Sequence, residues 1–542
     1  MRNFFLIMSL LAIQHSRAQL KYVIEDFEGF ADQESDLKPN GVFVFGNAKP
    51  VIDKKLTDKA GYSGTRAIRI NQNETPDFGG WGKGVGMYVE LDPSSDYLNF
   101  YLYQSTGNEQ KEILVEIQDD DNGNGTFEKS SDDSWQFSLK SKTTGNWELI
   151  SIPLSAMKDA NYGGDGIFNI GYKNGKFLSV VMTLPKPDRS KTQNYWLFDF
   201  LCFSKGKLPT GKGKFDFPAG KSGVCTLGAW SKEGNSADFN QIASAFESNF
   251  KSASDKKLGV VHFFQPFAVD GGNTQNLYPS VERVNKVVKN GYVPLITLED
   301  HFVNTDAKFR QPNLYSIVEG YFDPFFSDWA KQIKKVDGIV LLRILHEFNG
   351  DWYPWCIAKN DNDPALLIRA YRHIHDIFRK EQVDNVRFIW CPNSTSFPQQ
   401  SWNYIMDAYP GNEYVDYVAL DIYNGAGGEN SVWRSFRKEG IENYFTLKEK
   451  LPEKPIFICE VASRERRGDE SQTAQSKSEW IAEMSEALKT DMSDIRLLTW
   501  FNEKESFRVN SSPASQKAFL IYVMKDPYFD SGSGVLIKLL RP

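Results

Sequence analysis

The stretch Gly338-Ile-Val-Leu-Leu-Arg-Ile-Leu-His-Glu347-Phe-Asn-Gly350 decides the fold of the larger part of this chain. Its first half is a continuous run of branched apolar residues, which is the pattern of a parallel strand buried on both faces. The run then ends abruptly in a histidine, a glutamate and an asparagine. Polar side chains at this point are typical of the carboxyl end of a parallel barrel, which is the end that carries active sites.

Working outward from this stretch, runs of the same kind alternate with helical patterns through the rest of the chain. They lie at residues 224–227, 258–264, 292–298, 339–345, 386–390, 415–420, 455–459 and 495–500. Eight such runs predict an α/β fold of the (β/α)8 barrel type over residues 217–530. A doubly wound open sheet is the alternative, but no glycine-rich phosphate turn follows any run.

The N-terminal part of the chain has a different pattern. Between residues 19 and 204, short alternating runs are bounded by Gly, Asn, Asp and Ser, which predicts an all-β sandwich of the jelly-roll type. Residues 205–216 are rich in Gly and Lys and predict a linker, and residues 531–542 are expected to form a C-terminal tail. Residues 1–18 have the pattern of a secretory signal, with Arg2, an apolar core and Ser16-Arg-Ala18, so we expect export.

The composition of the chain excludes some classes of binding partner. The net charge of −7 over 542 residues offers no broad basic face for nucleic acid or anionic lipid, and no later apolar stretch is long enough to span a membrane. A neutral partner is therefore expected. The five cysteines are an odd number and three of them lie in strand-like runs, which predicts buried free thiols, although one disulfide stays open.

A second carboxylate, Glu460, ends the seventh run as Glu347 ends the fourth. A barrel brings these two strand ends to opposite walls of one pocket. Paired carboxylates in a pocket with aromatic rings are suited to cleaving a glycosidic bond, with retention of configuration if the carboxyl groups lie about 5 to 5.5 Å apart. The rings and the charge of Glu460 are expected to raise the pKa of Glu347, so that it starts protonated. For either residue alone, a solvated rim position is the alternative.

Four motifs in this part resemble glycoside hydrolase family 26 over about residues 217 to 527. They are His346–Trp355, Cys391-Pro-Asn393-Ser, Tyr417–Tyr423 and Ile458–Ser463. The resemblance implies that Glu347 is the acid/base, Glu460 the nucleophile, Tyr423 a hydrogen-bond donor to the nucleophile and Trp500 the floor under the cleaved sugar. It also implies that His346 and Trp352 hold the acid and the substrate, without a metal or cofactor. Further candidates for contacts with substrate are Arg343, Asn349, Trp355, Asn393 and His262.

Most members of that family are endo-β-1,4-mannanases, and some cut mixed-linkage β-glucan or β-1,3-xylan. The sequence Asp351-Trp-Tyr-Pro-Trp355 differs from the Trp-rich segment typical of the mannanases, which leaves the polymer open. The prediction is a secreted, monomeric, retaining endo-β-glycanase, with mannan or glucomannan as the first substrate. Mixed-linkage β-glucanase (lichenase), β-1,3-xylanase, a transglycosylase and a non-catalytic glycan-binding protein are the alternatives.

The N-terminal part resembles a carbohydrate-binding module of the family 11 type at its start, Ile24–Gly29, and at its end, Trp196–Leu201. This resemblance implies a possible structural calcium at Glu28 and Asp199. Asp120–Gly125 copies the first half of a calcium loop, but position twelve is Ser131, so a solvated turn is predicted there. Trp81, Tyr101, Tyr103 and Trp135 are expected to be either core residues or a surface on which sugars stack.

Overall fold

The computed structural model describes most of the chain after the predicted signal. The described residues are 18–54, 64–72, 77–105, 111–140, 142, 145–187, 194–208, 223–232, 238–266, 278–299, 312–425, 432–466, 468–469, 476–503 and 505–541. Residues 1–17 of the predicted signal and residues 209–216 of the predicted linker lie outside them. Within the described part, an all-β domain precedes a barrel domain.

The N-terminal domain is a sandwich of two six-stranded sheets. Its strands are β1 (Gln19–Glu25), β2 (Val42–Gly46), β3 (Lys49–Lys54), β4 (Arg66–Asn71), β5 (Gly79–Met87), β6 (Asp96–Gln104), β7 (Glu112–Asp119), β8 (Ser134–Lys140), β9 (Trp147–Pro153), β10 (Lys158–Asp159), β11 (Phe177–Leu184) and β12 (Tyr195–Lys205). One sheet has the order β3-β4-β12-β6-β9, with β1 also paired to β12, and the other has the order β10-β8-β7-β11-β5-β2. All the strand pairs within the two sheets are antiparallel, as the alternating sequence predicts.

The sandwich core explains most of its aromatic residues. Trp81 is fully buried and packs edge-on against Phe198, and Trp135 is nearly buried with its indole N–H donated to Asp119. Tyr101 is buried on the side of the sheet that packs against the barrel domain. These three are therefore core residues. Tyr103 alone of the four is half-buried, and it stacks on Tyr195.

The C-terminal domain is a closed barrel of eight parallel strands, which confirms the predicted fold class. Its strands are β13 (Thr226–Ser231), β14 (Val260–Pro266), β15 (Val293–Glu299), β16 (Val340–Arg343), β17 (Val386–Trp390), β18 (Tyr417–Asn424), β19 (Ile456–Ser463) and β20 (Ile495–Asn502). The helices are α1 (Asn240–Ser248), α2 (Val281–Lys289), α3 (Leu314–Val318), α4 (Asp323–Ile333), α5 (Pro364–Lys380), α6 (Phe436–Lys450), α7 (Ser476–Lys489), α8 (Pro513–Phe519) and α9 (Gly534–Leu540). One predicted run thus corresponds to each strand.

Helix α9 belongs to the barrel, whereas residues 531–542 were expected to be a tail. Leu536 and Leu540 join the apolar side chains inside the barrel, including Val293 and Leu295 of β15. The hydroxyl of Tyr417, at the start of β18, donates to the carbonyl of Leu539 at 3.1 Å. The helix therefore closes the amino-terminal mouth of the barrel, because burying its leucines there removes apolar surface from water. The opposite mouth of the barrel lies at the carboxyl ends of the strands, where Glu347 and Glu460 lie.

The two domains pack directly against each other through β1 and helix α6. The Lys438 ammonium lies 2.7 Å from the Glu25 carboxylate, and the Ser435 hydroxyl donates to Asp26. Apolar residues of β1, including Leu20 and Val23, join the same buried cluster as the barrel helices. This interface positions the sandwich against the sixth βα unit of the barrel.

All five cysteines lie within the described residues and are buried free thiols, as predicted. Among the helices that the structure describes, none combines the length and the apolar character that crossing a bilayer requires.

Candidate active site

The backbone beyond β16 turns sharply at the site. Leu345 and Glu347 both adopt left-handed conformations, with φ of 48° and 51°. Non-glycine residues rarely adopt this conformation, and it persists where the surrounding structure holds it. Here the amide of Glu347 donates to the carbonyl of Cys391 at 2.8 Å, and the amide of Gly350 donates back to the carbonyl of Glu347 at 2.9 Å. The turn fixes the Glu347 side chain at the carboxyl end of the barrel.

Glu347 lies in an environment that favours its protonated form. The carboxyl group is 8% exposed, and its Oε2 accepts a hydrogen bond of 2.7 Å from the indole N–H of Trp352. Burial, followed by the negative charge of Glu460, raises the pKa of Glu347 to about 7, against the opposing effects of Arg343 and of the Trp352 hydrogen bond. A carboxylic acid with such a pKa can donate a proton near neutral pH.

Glu460 lies in the opposite environment. It is in β19 and is nearly buried, and one of its oxygens forms an ion pair with the guanidinium of Arg343. Its other oxygen accepts a hydrogen bond from the hydroxyl of Tyr423. A neighbouring cation and a donated hydrogen bond both stabilise the ionised form of a carboxylate. The structure thus brings Glu347, Glu460 and Tyr423 together in roles that differ by environment.

Arg343 is the centre of the buried charge network and is itself fully buried. Its guanidinium also forms an ion pair with Asp421, and its Nε donates to the Thr297 hydroxyl at 2.8 Å. Arg343 was predicted to contact substrate. Because it is fully enclosed below the two glutamates, it positions and neutralises Glu460 instead.

His262 lies one step further into the barrel. It is fully buried and shares a 2.8 Å hydrogen bond with the Thr297 hydroxyl. Burial and the charge of Arg343 hold the pKa of His262 well below its usual value, so the ring is neutral. The His262 side chain bonds Thr297 and has no exposed surface, so the structure does not bring it to the open part of the site.

His346 is packed between two aromatic rings of the loop that follows the acid. Its ring lies 4.6 Å from that of Tyr353 and 5.6 Å from that of Trp355. Neither ring nitrogen has a hydrogen-bond partner among the described residues, and burial lowers the pKa of His346 well below its usual value. A neutral imidazole with unpaired nitrogens at the base of a site is able to bond a hydroxyl or a water molecule.

Trp355, Asn349 and Asn393 hold the loops rather than face the site. Trp355 is fully buried and donates its indole N–H to the His346 carbonyl at 2.8 Å. Asn349 is fully buried, and its side chain bonds the carbonyl and the amide of Asn393 at 3.0 and 2.8 Å. The Asn393 side chain donates to the carbonyl of Thr395 at 2.8 Å. All three were expected to contact substrate, and the structure shows each of them in hydrogen bonds that connect the βα loops, with Asn393 half-buried.

Trp500 also lies in a different place from the one expected. Its ring is 1% exposed and packs between Trp480 of α7 and Phe519 of α8, with its N–H donated to the carbonyl of Phe507 at 2.9 Å. It therefore points outward from β20 into the helical layer and cannot be the floor of a sugar site. The next residue, Phe501, points the other way and contacts the ring of Tyr423 at 5.6 Å.

Some residues of the site were not among the candidates. Thr297 and Asp421 complete the Arg343 network, and Phe501 and Tyr353 supply aromatic surface beside the glutamates. A charged residue in the apolar run Val418–Ile422 was the available signal for Asp421, since an aspartate there must be paired when buried. Thr297 gave only the weaker signal of one hydroxyl inside a buried strand.

Glu28, the implied calcium ligand of the sandwich, is already engaged. One of its oxygens accepts the amides of Thr65 and Arg66, both at 2.8 Å, and its other oxygen lies 3.5 Å from the Arg66 guanidinium. A carboxylate neutralised by an arginine does not fit a cation site, so the calcium implied at Glu28 and Asp199 is not supported.

The comparisons with known proteins agree with this geometry. The model of the family described as Glycosyl hydrolase family 26 matches residues 275–449, a range that contains Glu347. Endoglucanase H of Acetivibrio thermocellus is 32% identical over 277 residues, which are 50% of this chain and 28% of that protein. A mannan endo-1,4-beta-mannosidase of Bifidobacterium adolescentis is 26% identical over 183 residues, which are 32% of this chain and 18% of that protein. The chain thus spans less than a third of the length of either relative.

A solved structure of a Bacillus subtilis mannanase aligns over 58% of this chain and 88% of its own, with 19% identity and a TM-score of 0.42. The range matched by the family model lies within the barrel domain, so the barrel domain is similar to glycosyl hydrolase family 26.

Proposed function

We propose that this protein is a secreted, retaining endo-β-glycanase, with β-1,4-mannan or glucomannan as its first substrate. The observation that carries the proposal is the opposite environment of two glutamates at one barrel mouth. Burial and a like charge raise the pKa of Glu347 to about 7, while Arg343 and Tyr423 stabilise ionised Glu460. A protonated carboxyl group beside a carboxylate that is paired with a cation is what acid-assisted attack on a glycoside requires.

In the first step, the Glu460 carboxylate attacks the anomeric carbon while Glu347 gives its proton to the departing glycosidic oxygen. The product is a glycosyl ester on Glu460 and a Glu347 carboxylate. In the second step, Glu347 takes a proton from water, and the resulting hydroxide equivalent displaces Glu460 from the sugar. Loss of the proton in step one and its return in step two leave both groups as they began.

The surroundings suit a sugar chain. Trp352 is 41% exposed beside the acid, so its ring offers an apolar face that a pyranose can stack on while its N–H stays on Glu347. Phe501 and Tyr423 form a second aromatic surface on the side of Glu460. The unpaired nitrogens of His346 are suited to a sugar hydroxyl or to a water that bonds one. None of these steps needs a metal or a cofactor.

The relatives support a β-linked hexose polymer and differ in which one. Four of the curated relatives are named as mannan endo-1,4-beta-mannosidases, at 26% to 33% identity. Endoglucanase H, which matches 50% of this chain, is named for action on a glucan, and this supports mixed-linkage β-glucan as the second candidate. β-1,3-Xylan, transglycosylation and glycan binding without catalysis are further alternatives. Export remains part of the proposal because residues 1–18 have the pattern of a secretory signal, and a monomeric state remains a prediction.

The test is release of reducing sugar from glucomannan, galactomannan, barley mixed-linkage glucan and β-1,3-xylan. The wild type and Glu460→Ala are run in parallel, with Glu413→Gln as a control because Glu413 is exposed and lies outside the site. We expect the wild type and the control to release sugar from mannans most rapidly, and Glu460→Ala to release none. Faster release from mixed-linkage glucan would identify the second candidate. Release from none of these polymers, with binding retained, would exclude the catalytic proposal.

A further inference from the structure

Three aspartates of the sandwich domain come together at one end of its second sheet. Asp119 ends β7, Asp121 follows it by two residues, and Asp133 directly precedes β8. Each offers a carboxylate oxygen, and these three oxygens lie within 4.8 Å of one another. Asp119 and Asp133 are fully buried, and Asp121 is half-buried. The cluster is far in sequence and in domain from the two glutamates of the barrel.

The cluster contains carboxylate oxygens that the protein itself leaves without a partner. Asp133 accepts the amide of Gly166 at 2.9 Å through Oδ2, but its buried Oδ1 has no hydrogen-bond partner in the part of the chain that the structure describes. The same holds for Oδ2 of Asp121. Among the described residues, no lysine or arginine forms an ion pair with any of the three aspartates. A buried unpaired carboxylate is costly, so its persistence requires a compensating group.

Gly164 shows that the unpaired oxygens face a common space. A Cβ atom on Gly164 would lie 1.9 Å from Oδ1 of Asp133 and 2.7 Å from Oδ2 of Asp121. The two unpaired oxygens therefore converge on one small region, which stays open because residue 164 has no side chain. Any other residue there would fill the space between them, and the φ of 74° at this position adds to the cost.

The electrostatics agree with this geometry. The three carboxylates lie close together, two of them are fully buried, and no lysine or arginine of the described residues pairs with them. The carboxylates thus repel one another in the absence of a cation. A divalent ion would reverse this effect, because metal ligands bind in their ionised form.

We propose that Asp119, Asp121 and Asp133 form a binding site for a hard divalent cation, with Ca²⁺ as the ion that fits best. The ligand set is all oxygen, which excludes the softer sites that zinc or copper prefer. Ca²⁺ accepts six to eight oxygens in irregular geometry, so three carboxylates leave positions for backbone carbonyls and water, whereas Mg²⁺ requires a near-ideal octahedron. The site differs both from the linear calcium-loop pattern that begins at Asp120 and from the site implied at Glu28 and Asp199.

Such an ion would join three segments of the sandwich. It would bind the β7 end, the residue before β8 and, through the Asp133–Gly166 hydrogen bond, the turn at residues 163–166. Trp135 would lie in its second shell, because its indole N–H donates to Asp119 at 3.1 Å. The site would therefore stabilise the sandwich without taking part in the chemistry of the barrel.

The first test is calorimetric titration of the full chain with CaCl₂ after treatment with EDTA. We expect one Ca²⁺ per chain, in the roughly 10⁻⁴ to 10⁻³ M range of extracellular modules or tighter. Asp133→Asn and Asp121→Asn should each weaken binding by about tenfold or more, since each removes a ligand charge. Asp36→Asn, which removes an exposed carboxylate elsewhere in the sandwich, should bind as the wild type does. Calcium binding by Asp133→Asn as tight as that of the wild type would overturn the site. A loss of affinity in Asp36→Asn as large as in Asp133→Asn would also overturn it.

A second test does not depend on the aspartate variants folding well. Tb³⁺ replaces Ca²⁺ in oxygen sites and emits when excited through a nearby indole, and Trp135 contacts the ligand Asp119. We expect Trp-sensitised Tb³⁺ emission that Ca²⁺ displaces, and loss of most of that emission in Trp135→Phe although calcium binding is retained. No sensitised emission from the wild type, or full emission from Trp135→Phe, would contradict the assigned position.

Discussion

The barrel mouth and the edge of the sandwich both bury several carboxylates, and they compensate the charge in different ways. In the barrel, the guanidinium of Arg343 lies between Asp421 and Glu460 and forms an ion pair with each. In the sandwich, Asp119, Asp121 and Asp133 have no such partner among the described residues. The comparison teaches that the chain itself supplies a counter-charge to the buried carboxylates of the barrel, whereas buried carboxylates left without one indicate a site for an ion from solution.

The largest effect is expected from Glu460, the carboxylate that is paired with Arg343. Glu460→Gln removes the nucleophile while leaving the shape of the site, and we expect kcat/KM on the best polymer to fall by about 10⁴-fold or more, as is common for nucleophile loss. The same variant should lower the pKa of Glu347, because the like charge of Glu460 is one of the two causes that raise it.

Initial rates measure the loss of activity. A pH titration of tryptophan emission measures the pKa of Glu347, because the indole N–H of Trp352 donates a hydrogen bond to Glu347. Glu413→Gln is the control. An unchanged rate in Glu460→Gln would show that another group attacks the sugar.

The next largest effect is expected from Arg343, which supplies the positive charge beside the two buried carboxylates of the barrel. Arg343→Met leaves Asp421 and Glu460 buried without their cation, and breaking a buried ion pair costs about 3–5 kcal/mol. We expect the free energy of unfolding of the barrel to fall by this order and activity to be lost with it. Chemical denaturation followed by circular dichroism measures the change. Arg369→Met, which removes an exposed arginine of α5, should unfold like the wild type. A similar loss of unfolding free energy in Arg369→Met would show that the effect of Arg343→Met does not come from the buried ion pairs.

The two regions should respond oppositely when one aspartate is neutralised. At pH 8 in EDTA, Asp421→Asn should destabilise the barrel because Arg343 loses a partner. Asp133→Asn should stabilise the calcium-free sandwich, because the buried Asp133 carboxylate lies beside Asp119 and Asp121 and one of its oxygens has no hydrogen-bond partner among the described residues. Differential scanning calorimetry of the two variants checks the signs. Destabilisation of the calcium-free sandwich by Asp133→Asn would show that its charge is already compensated.

The smallest effect concerns the pH profile. Catalysis requires protonated Glu347, so kcat/KM should fall as pH rises through its pKa of about 7. The hydrogen bond from Trp352 lowers that pKa, so Trp352→Phe should move the alkaline limb to higher pH and lower kcat by about tenfold.

Rates across pH 5 to 9, compared with Phe397→Leu as an exposed aromatic control, measure the shift. An unchanged alkaline limb in Trp352→Phe would show that Trp352 does not influence the pKa of Glu347.

The same pKa gives a stability prediction with a defined sign. The pKa of Glu347 is raised in the folded state, so its ionisation disfavours folding, and its contribution to stability is lost as pH rises from about 4.5 to about 7. In Glu347→Gln this part of the pH dependence should disappear, which denaturation of both proteins at pH 5 and pH 8 can measure.

The positions of the strand ends could be predicted from the sequence. The face of the sheet to which a single side chain points could not. Eight apolar runs give eight strands, and the polar residues that end the fourth and seventh runs come together, because a parallel barrel allows no other arrangement of those ends. Trp500 and Phe501 are adjacent, and a strand points them to opposite faces, so an error of one position exchanges core and site.

Roles that depend on distant partners were also beyond the sequence. Asn349 bonds the Asn393 loop, and Asp121 meets Asp133 and Gly164, through contacts that no local pattern records. The sequence predicted a solvated turn near Asp120 because Ser131 stands at the twelfth position of a continuous calcium loop. The structure builds its cluster from two strand ends instead.

The most direct test of the account is chemical rescue of two alanine variants by azide, on an aryl β-glycoside of the best substrate. The account assigns attack to Glu460 and proton transfer to Glu347. Azide should therefore restore turnover of Glu460→Ala with an α-glycosyl azide as product, because it replaces the nucleophile. It should restore Glu347→Ala with a β-glycosyl azide, because it intercepts the glycosyl ester. The reverse assignment of products, or the absence of rescue in both, would contradict the division of roles between the two glutamates.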